Sequence, residues 1–127
     1  MKSGDYKYVQ NELNAFVKAM KKAKPDVIIS TIIETCLLTH SEKIKACEIV
    51  RDSGSDYIKS STGFSIRDAT IGDLRLMKEI CGPNVGLKVA GVYSDIENAI
   101  AYIEEGATVI GDTSAVRWME EWDNAVI

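Results

Sequence analysis

Two lysines lie inside apolar segments that are typical of parallel β-strands. Lys59 belongs to the segment Tyr57–Gly63 and Lys88 to the segment Val85–Gly91, at a matching depth in each. A charged amine buried in such a strand is costly, so the lysine either becomes neutral or serves a chemical purpose. A neutral amine beside a second cation is a nucleophile that forms Schiff bases with carbonyl compounds. The pattern therefore predicts carbonyl chemistry at the end of a parallel sheet.

The two lysines are expected to face each other. Because side chains alternate along a strand, Lys59 and Lys88 each share a face with the residues two positions away, and the small residues Gly86 and Ala90 leave room beside Lys88. Adjacent strands lie about 4.8 Å apart, so the two amines would be close neighbours, and like charges at that range disfavour the charged form. Taken singly, each lysine has a second interpretation, a side chain that reaches solvent at a sheet edge.

The elements that would position these lysines alternate between helix and strand. Apolar periodicity indicates a first helix over residues 8–23, and capping sequences at Thr39, Thr70 and Ser94 begin three more, with a short last helix at about 114–122. The predicted strands are Val27–Ile33, Tyr57–Ser61, Val85–Val89 and Thr108–Gly111. This order is typical of a parallel α/β protein with right-handed crossovers, and we predict a single domain over residues 1–127.

Ligands of parallel α/β proteins bind beyond the carboxyl ends of the strands, where this chain has glycine-containing turns. The turns at residues 60–63, 91–94 and 111–114 each offer backbone amides and hydroxyls to a phosphate. Asp112 argues against phosphate binding at the third turn, since a carboxylate repels a phosphate beside it. Glu34, at the end of the first strand, is a candidate acid or a partner for a lysine.

Composition excludes several classes of partner. The formal net charge is −4 and the basic residues are scattered, so we expect neither nucleic acid nor an anionic membrane as a ligand. The apolar run Val27–Ile33 is far shorter than the roughly 20 residues of a membrane span. The first residues show no apolar signal core, which predicts a cytoplasmic protein.

Metal and disulfide chemistry are not expected. Cys36, Cys47 and Cys81 are an odd number at long spacings, which favours reduced packing thiols. His40 lacks a set of metal-binding partners and is predicted to be an exposed residue of a helix cap. Trp118 and Trp122 are predicted to belong to the core or to a protein interface.

The chain resembles the C-terminal half of deoxyribose-phosphate aldolase, a class I aldolase family built as an eight-stranded TIM (βα)8 barrel. The resemblance covers nearly the whole chain, and its most specific motif is Lys-x-Ser-Thr-Gly-Phe at residues 59–64. The other matching stretches are Lys2–Tyr6, Val27–Leu38, Val85–Gly91 and Glu105–Gly111.

The resemblance implies roles for individual residues. Lys59 would form the Schiff base with acetaldehyde, and Lys88 would be the second lysine that assists proton transfer. The reaction would be the reversible cleavage of 2-deoxy-D-ribose 5-phosphate to glyceraldehyde 3-phosphate and acetaldehyde, with no metal and no organic cofactor. The phosphate site would map onto Thr62, Gly63, Gly91 and Ser114.

The chain departs from the family in length and in its phosphate loops. Four strands form half of such a barrel, which predicts completion by a homodimer or by a complementing chain. Val92 and Ser94 replace a glycine and an arginine of the family pattern, and Asp112 replaces a small residue. Three hypotheses follow: an aldolase of the family type, a Schiff-base aldolase with an unphosphorylated substrate, and a non-catalytic fragment that acts as a folding or assembly unit.

Overall fold

The computed structural model describes residues 1–91 and 96–125. Helices and strands alternate along these ranges, and two short 3₁₀ turns, Thr35–Leu37 and Gly82–Asn84, lie between them. The helices are α1 (Tyr6–Ala23), α2 (His40–Ser53), α3 (Ile71–Cys81), α4 (Ile96–Glu104) and α5 (Ala115–Ala125). The strands are β1 (Ser30–Ile32), β2 (Tyr57–Lys59), β3 (Gly86–Ala90) and β4 (Val109–Gly111).

The four strands form one parallel sheet in the order β1-β2-β3-β4. Right-handed crossovers between strands that follow each other in this order place the connecting helices on the same face of the sheet. The predicted parallel α/β fold is therefore confirmed. Among the described residues, β1 and β4 are the edge strands of this sheet.

Helix boundaries follow the predicted caps. Thr39 and Thr70 each accept a hydrogen bond from the third residue of their helix, and the side chains of Glu42 and Asp73 complete two capping boxes. Gly54 ends α2 in the left-handed conformation, with φ of 83°, which a residue without a Cβ adopts without strain. The third predicted cap, at Ser94, lies outside the described residues.

The core lies between the helices and one face of the sheet. Ile58 of β2 and Val89 of β3 are fully buried there, and they belong to the same apolar cluster as Leu74, Met77 and Val50 from α3 and α2. Trp118 of α5 is also buried in this cluster, whereas Trp122, one turn later, is 46% exposed. The predicted core location is thus confirmed for Trp118, and an interface location for Trp122 stays a prediction.

The opposite face of the sheet is open. Ile28 and Ile32 are 71% and 45% exposed, so the apolar run Val27–Ile33, which is hydrophobic on both faces as a strand between two layers of helices would be, is covered on one face only. The physical reason is that the described helices cover one face only. The strand is also shorter than predicted, since it begins at Ser30; the Ile29 carbonyl just before it accepts from the amide of Asp56 and from the amide of Tyr57, the first residue of β2.

Two ion pairs fix the elements to one another. Lys21 of α1 donates to both carboxylate oxygens of Asp56 and to the carbonyl of Val27, each at 2.8 Å, and this lysine lowers the pKa of Asp56. Lys43 of α2 pairs with Asp73 of α3, and both side chains are largely buried. None of the described helices has the length and apolarity needed to cross a bilayer.

Candidate active site

Lys59 and Lys88 are direct partners in the register of β2 and β3. Both side chains are half-buried, while the residues that alternate with them, Ile58 and Val89, are buried in the core. The lysines therefore lie side by side on the open face, Lys59 as the last residue of β2 and Lys88 as the middle residue of β3. This pairing confirms the register expected from the sequence, and the catalytic roles of the two lysines stay predictions.

An aromatic ring lies below the lysine pair. Tyr57 and Gly86, each two residues before a lysine, are also register partners. A Cβ built on Gly86 would collide with the Tyr57 ring, so the ring occupies the space that a larger residue at position 86 would need. Sequence reasoning placed Tyr57 on the lysine face and did not assign it this packing role, since that role depends on a contact between two strands.

The ends of the two lysine strands are joined by serine side chains. Ser60 and Ser61 are both 1% exposed. The Ser61 hydroxyl donates to the Ala90 carbonyl, and the Ser60 hydroxyl accepts from the Ala90 amide at 3.4 Å. The sequence offered these hydroxyls as phosphate ligands, and the structure instead uses them to hold β2 against β3.

Glu34 lies at a kink that follows β1. The amides of Ile33 and Thr35 donate to consecutive carbonyls, those of Lys59 and Ser60, at 3.0 and 2.9 Å. Regular parallel pairing would advance two residues on both strands, so Glu34 is an extra residue, as in a β-bulge. Its φ of 50° is the one positive φ of a non-glycine residue in the described part of the chain.

The kink directs the Glu34 carboxylate to Thr62, three residues after Lys59. One oxygen accepts from the Thr62 hydroxyl at 2.7 Å and from the Thr62 amide at 3.1 Å. The Thr62 oxygen in turn accepts from the amide of Phe64 at 3.2 Å. Glu34 thus fixes the loop that follows the nucleophile candidate, a more specific role than the acid or lysine partner suggested by the sequence.

Gly63 and Gly91 meet across the strand ends. Gly63 has φ of 86°, and a Cβ built on it would lie 3.8 Å from the Gly91 amide nitrogen. Above Gly91 lies the carboxylate of Asp68, because a Cβ on Gly91 would come within 2.6 Å of its Cγ and Oδ1. The structure brings Thr62, Gly63 and Gly91 together, and it adds Asp68, which the sequence did not single out.

Ser114 lies after β4, at the start of α5. Its amide donates to Oδ1 of Asp112 at 2.7 Å, and its carbonyl accepts from the Trp118 amide at 3.1 Å. The fourth predicted phosphate residue therefore has its amide bonded to a carboxylate of its own turn. Val92 and Ser94, the other departures from the family pattern, lie outside the described residues.

The cysteines and the histidine of the described part of the chain form no metal-binding cluster. The residues described here contain no group of three or more His, Cys, Asp or Glu side chains arranged to hold an ion. Cys47 and Cys81 are buried packing residues, and the Cys36 thiol donates to the Ser65 hydroxyl at 3.2 Å. His40 is exposed at the first position of α2, as predicted.

Known proteins similar to this chain are aldolases. The deoxyribose-phosphate aldolase of Thermoanaerobacter pseudethanolicus is 45% identical over 123 residues, which is 97% of this chain and 55% of that protein. The deoxyribose-phosphate aldolase of Thermococcus gammatolerans is 46% identical over 127 residues, covering 98% of this chain and 55% of that protein. No family model matches the chain.

Solved structures with a fold similar to that of this chain are also aldolases. The aldolase called QR15 superposes with a TM-score of 0.85 at 36% identity, covering 97% of this chain and 54% of its own. A deoxyribose-phosphate aldolase from Aeropyrum pernix, described as a tetramer, shares the fold at a TM-score of 0.81 over 50% of its length.

Fold and comparisons together define the class. The four parallel βα units are half of a TIM-barrel fold of the aldolase type. More particularly, the chain is similar in sequence to deoxyribose-phosphate aldolases, and it spans about half the length of the curated relatives it matches.

Proposed function

We propose that this chain carries the Schiff-base part of a class I aldolase site, with Lys59 as nucleophile and Lys88 as its proton-transfer partner. The observation that supports the proposal is the register pairing of these two lysines on the open face of the sheet. The aldolase homologues support the reaction class. Following the resemblance, the reaction is the reversible cleavage of 2-deoxy-D-ribose 5-phosphate to glyceraldehyde 3-phosphate and acetaldehyde.

The chemistry needs one neutral amine and one group that moves a proton. The Lys59 amine adds to C1 of the open-chain sugar, and loss of water gives a protonated imine. The C2–C3 bond then breaks, its electron pair moves toward the imine nitrogen to form an enamine, and the C3 hydroxyl loses its proton to become the aldehyde of the first product. Protonation of the enamine at C2 and hydrolysis release acetaldehyde. Lys88, across the register from Lys59, is the candidate to carry that proton.

The proposal includes further strands beside this sheet. Both β1 and β4 are edges within the described residues, and unpaired edges readily bind other strands. A groove of about 320 Å³ beside β4 is lined by apolar residues of α4 and α5, among them the exposed Met119 and Trp122. A second copy of the chain, or a complementing chain, would cover such surfaces. The cytoplasmic location predicted from the sequence stays a prediction.

Borohydride trapping tests the proposal. The protein is incubated with acetaldehyde, reduced, and analysed by intact mass and peptide mapping. We expect one adduct on Lys59, its loss in Lys59→Arg, and its retention in Lys18→Arg, a matched change of an exposed lysine on α1. Labelling of Lys59 no greater than that of surface lysines would remove the catalytic proposal.

That negative result would favour the second candidate function, a non-catalytic folding or assembly unit. The open sheet face and the two edge strands are the observations that favour it. It predicts a folded protein that associates with aldolase chains and shows no reactive lysine.

A further inference from the structure

We propose that the loops around the two lysines select an unphosphorylated aldehyde or aldose, with Asp68 and Asp112 as the specificity-determining residues. The inference rests on the proposed function for the aldol step, and it changes the preferred substrate from the phosphate ester to the uncharged molecule. Three turns, which begin at residues 60, 91 and 111, have amides and hydroxyls that could bind a phosphate, and their contacts support the inference.

The first turn has no donor of Thr62 left for an anion. Both the hydroxyl and the amide of Thr62 donate to Glu34. A hydroxyl has one proton to give, so Thr62 can only accept a hydrogen bond from a substrate in this arrangement.

At the second turn, which begins at Gly91, the carboxylate of Asp68 lies against the glycine backbone. A Cβ on Gly91 would come within 2.6 Å of the Asp68 carboxyl group, so Asp68 occupies the space above the Gly91 backbone. A glycine at such a position normally lets a ligand approach the main chain. Here the group that approaches is an acid of the same chain, and a phosphate would have to displace it or lie beside its charge.

At the third turn, which follows β4, a second carboxylate, that of Asp112, lies beside the backbone. The Ser114 amide, at the start of α5, is a donor that a phosphate at a helix N-terminus would use. It donates instead to Asp112 Oδ1 at 2.7 Å. An aspartate carboxylate therefore lies against the backbone after each of the neighbouring strands β3 and β4, Asp68 beside Gly91 and Asp112 on the Ser114 amide.

Charge decides which substrate these loops favour. A phosphate monoester carries about −1.5 to −2 charges at neutral pH and is repelled by carboxylates at contact distance. An unphosphorylated sugar or aldehyde has no such group and can offer hydroxyls to the same carboxylates.

The test compares two substrates on one protein. Borohydride trapping at Lys59 is measured with 2-deoxyribose and with 2-deoxyribose 5-phosphate, and the ratio of the two rates is determined for each variant. We expect the wild type to favour 2-deoxyribose, and the variant Asp68→Asn with Asp112→Asn to shift the ratio toward the phosphate by about tenfold or more. Both asparagines keep the shape of the side chain and remove its charge. The ratio is taken within one preparation, so partial misfolding cancels.

A matched control is Asp26→Asn, an exposed aspartate in the loop before β1, which should leave the ratio unchanged. A wild type that favours the phosphate ester, or a ratio that the double variant does not shift, would overturn the inference. Acetaldehyde separates this failure from that of the proposed function, because it has no phosphate. Trapping of acetaldehyde at Lys59 alongside an unfavourable ratio overturns the substrate inference alone, whereas no acetaldehyde adduct overturns both.

Discussion

Glu34 and Thr62, 28 residues apart in the chain, form a two-bond contact that links the end of β1 to the loop after β2. The carboxylate accepts from the Thr62 hydroxyl at 2.7 Å and from its amide at 3.1 Å. Glu34 adopts a φ of 50° to make this contact, a conformation that side-chain-bearing residues rarely hold without compensation. The contact therefore holds the segment that follows Lys59 in one conformation.

Removal of the Glu34 carboxylate should reduce the reactivity of Lys59 strongly and the stability of the fold only slightly. We expect Glu34→Ala to slow acetaldehyde trapping at Lys59 by about tenfold, because small displacements of a reacting group are costly. Stability should fall by no more than about 1.5 kcal/mol, the scale of one or two partly exposed hydrogen bonds. Trapping rates and urea unfolding measure the two effects.

Glu34→Gln serves as the conservative control. Its amide oxygen can still accept from the Thr62 hydroxyl, so trapping should be slowed less than in Glu34→Ala. Equal rates for the wild type and Glu34→Ala would show that Thr62 is held without this residue.

Gly86 should tolerate no side chain while Tyr57 is present. A Cβ at position 86 collides with the tyrosine ring, and overpacking of this kind costs about 1 to 3 kcal/mol. We therefore expect Gly86→Ala to lower the free energy of unfolding by that amount, as measured by chemical denaturation. Adding Tyr57→Ala should remove the clash and recover part of the loss in a double-mutant cycle.

Gly72→Ala provides the matched comparison for this prediction. Gly72 lies in α3, and a Cβ there would make an ordinary contact at 3.6 Å with the Thr70 hydroxyl oxygen. Alanine in a helix is favoured over glycine by about 0.5 to 1 kcal/mol, so this variant should be neutral or slightly more stable. A loss at position 72 as large as that at position 86 would contradict the steric explanation.

The Lys43–Asp73 pair should make stability depend on acid pH. Burial raises the pKa of Asp73, and the hydrogen bonds from Lys43 and Thr70 outweigh this effect, so the pKa lies below its ordinary value of 3.8. A carboxyl group with a lowered folded-state pKa contributes stability that is complete above the unfolded value and is lost as the pH falls through the folded value.

We expect Asp73→Asn to cost about 3 kcal/mol at neutral pH, because it leaves the Lys43 charge buried without its partner. The difference from the wild type should shrink below about pH 4, where the Asp73 carboxyl group of the unfolded chain begins to take up a proton that the folded carboxylate does not bind until lower pH. Unfolding in urea over a pH series measures this. Asp52→Asn, in the exposed pair with Arg51, should cost less than about 1 kcal/mol, and a comparable cost for both variants would show that burial of the Asp73 pair is unimportant.

The apolar groove beside β4 should be part of an interface between chains. Met119 is 61% exposed on α5 and lines this groove. If a second copy covers it, Met119→Glu should lower the molar mass measured by light scattering from that of a dimer to that of a monomer, since a buried unpaired charge is costly. Asn84→Glu, an exposed change elsewhere, should leave the mass unaltered, and a wild type that is monomeric at all concentrations would contradict the prediction.

Much of the fold could be predicted from local sequence. The capping boxes at Thr39 and Thr70 and the left-handed glycine at position 54 depend on residues within one or two turns of each other, so their signals lie close together in the chain. The pairing of Lys59 with Lys88 could also be predicted, because strand alternation fixes the face and equal depth in neighbouring parallel strands fixes the register.

The sequence by itself therefore determined the order of elements, the parallel sheet and the lysine pair. Only the tertiary structure decided the surroundings of that pair: the Tyr57 ring over Gly86, the Glu34 carboxylate on Thr62, and the Asp68 carboxylate over Gly91. Each of these contacts joins residues more than 20 positions apart, and a periodic pattern contains no information about which distant side chains meet. Such contacts arise when the crossovers bring the strand ends together, because close packing then admits only one arrangement of the side chains.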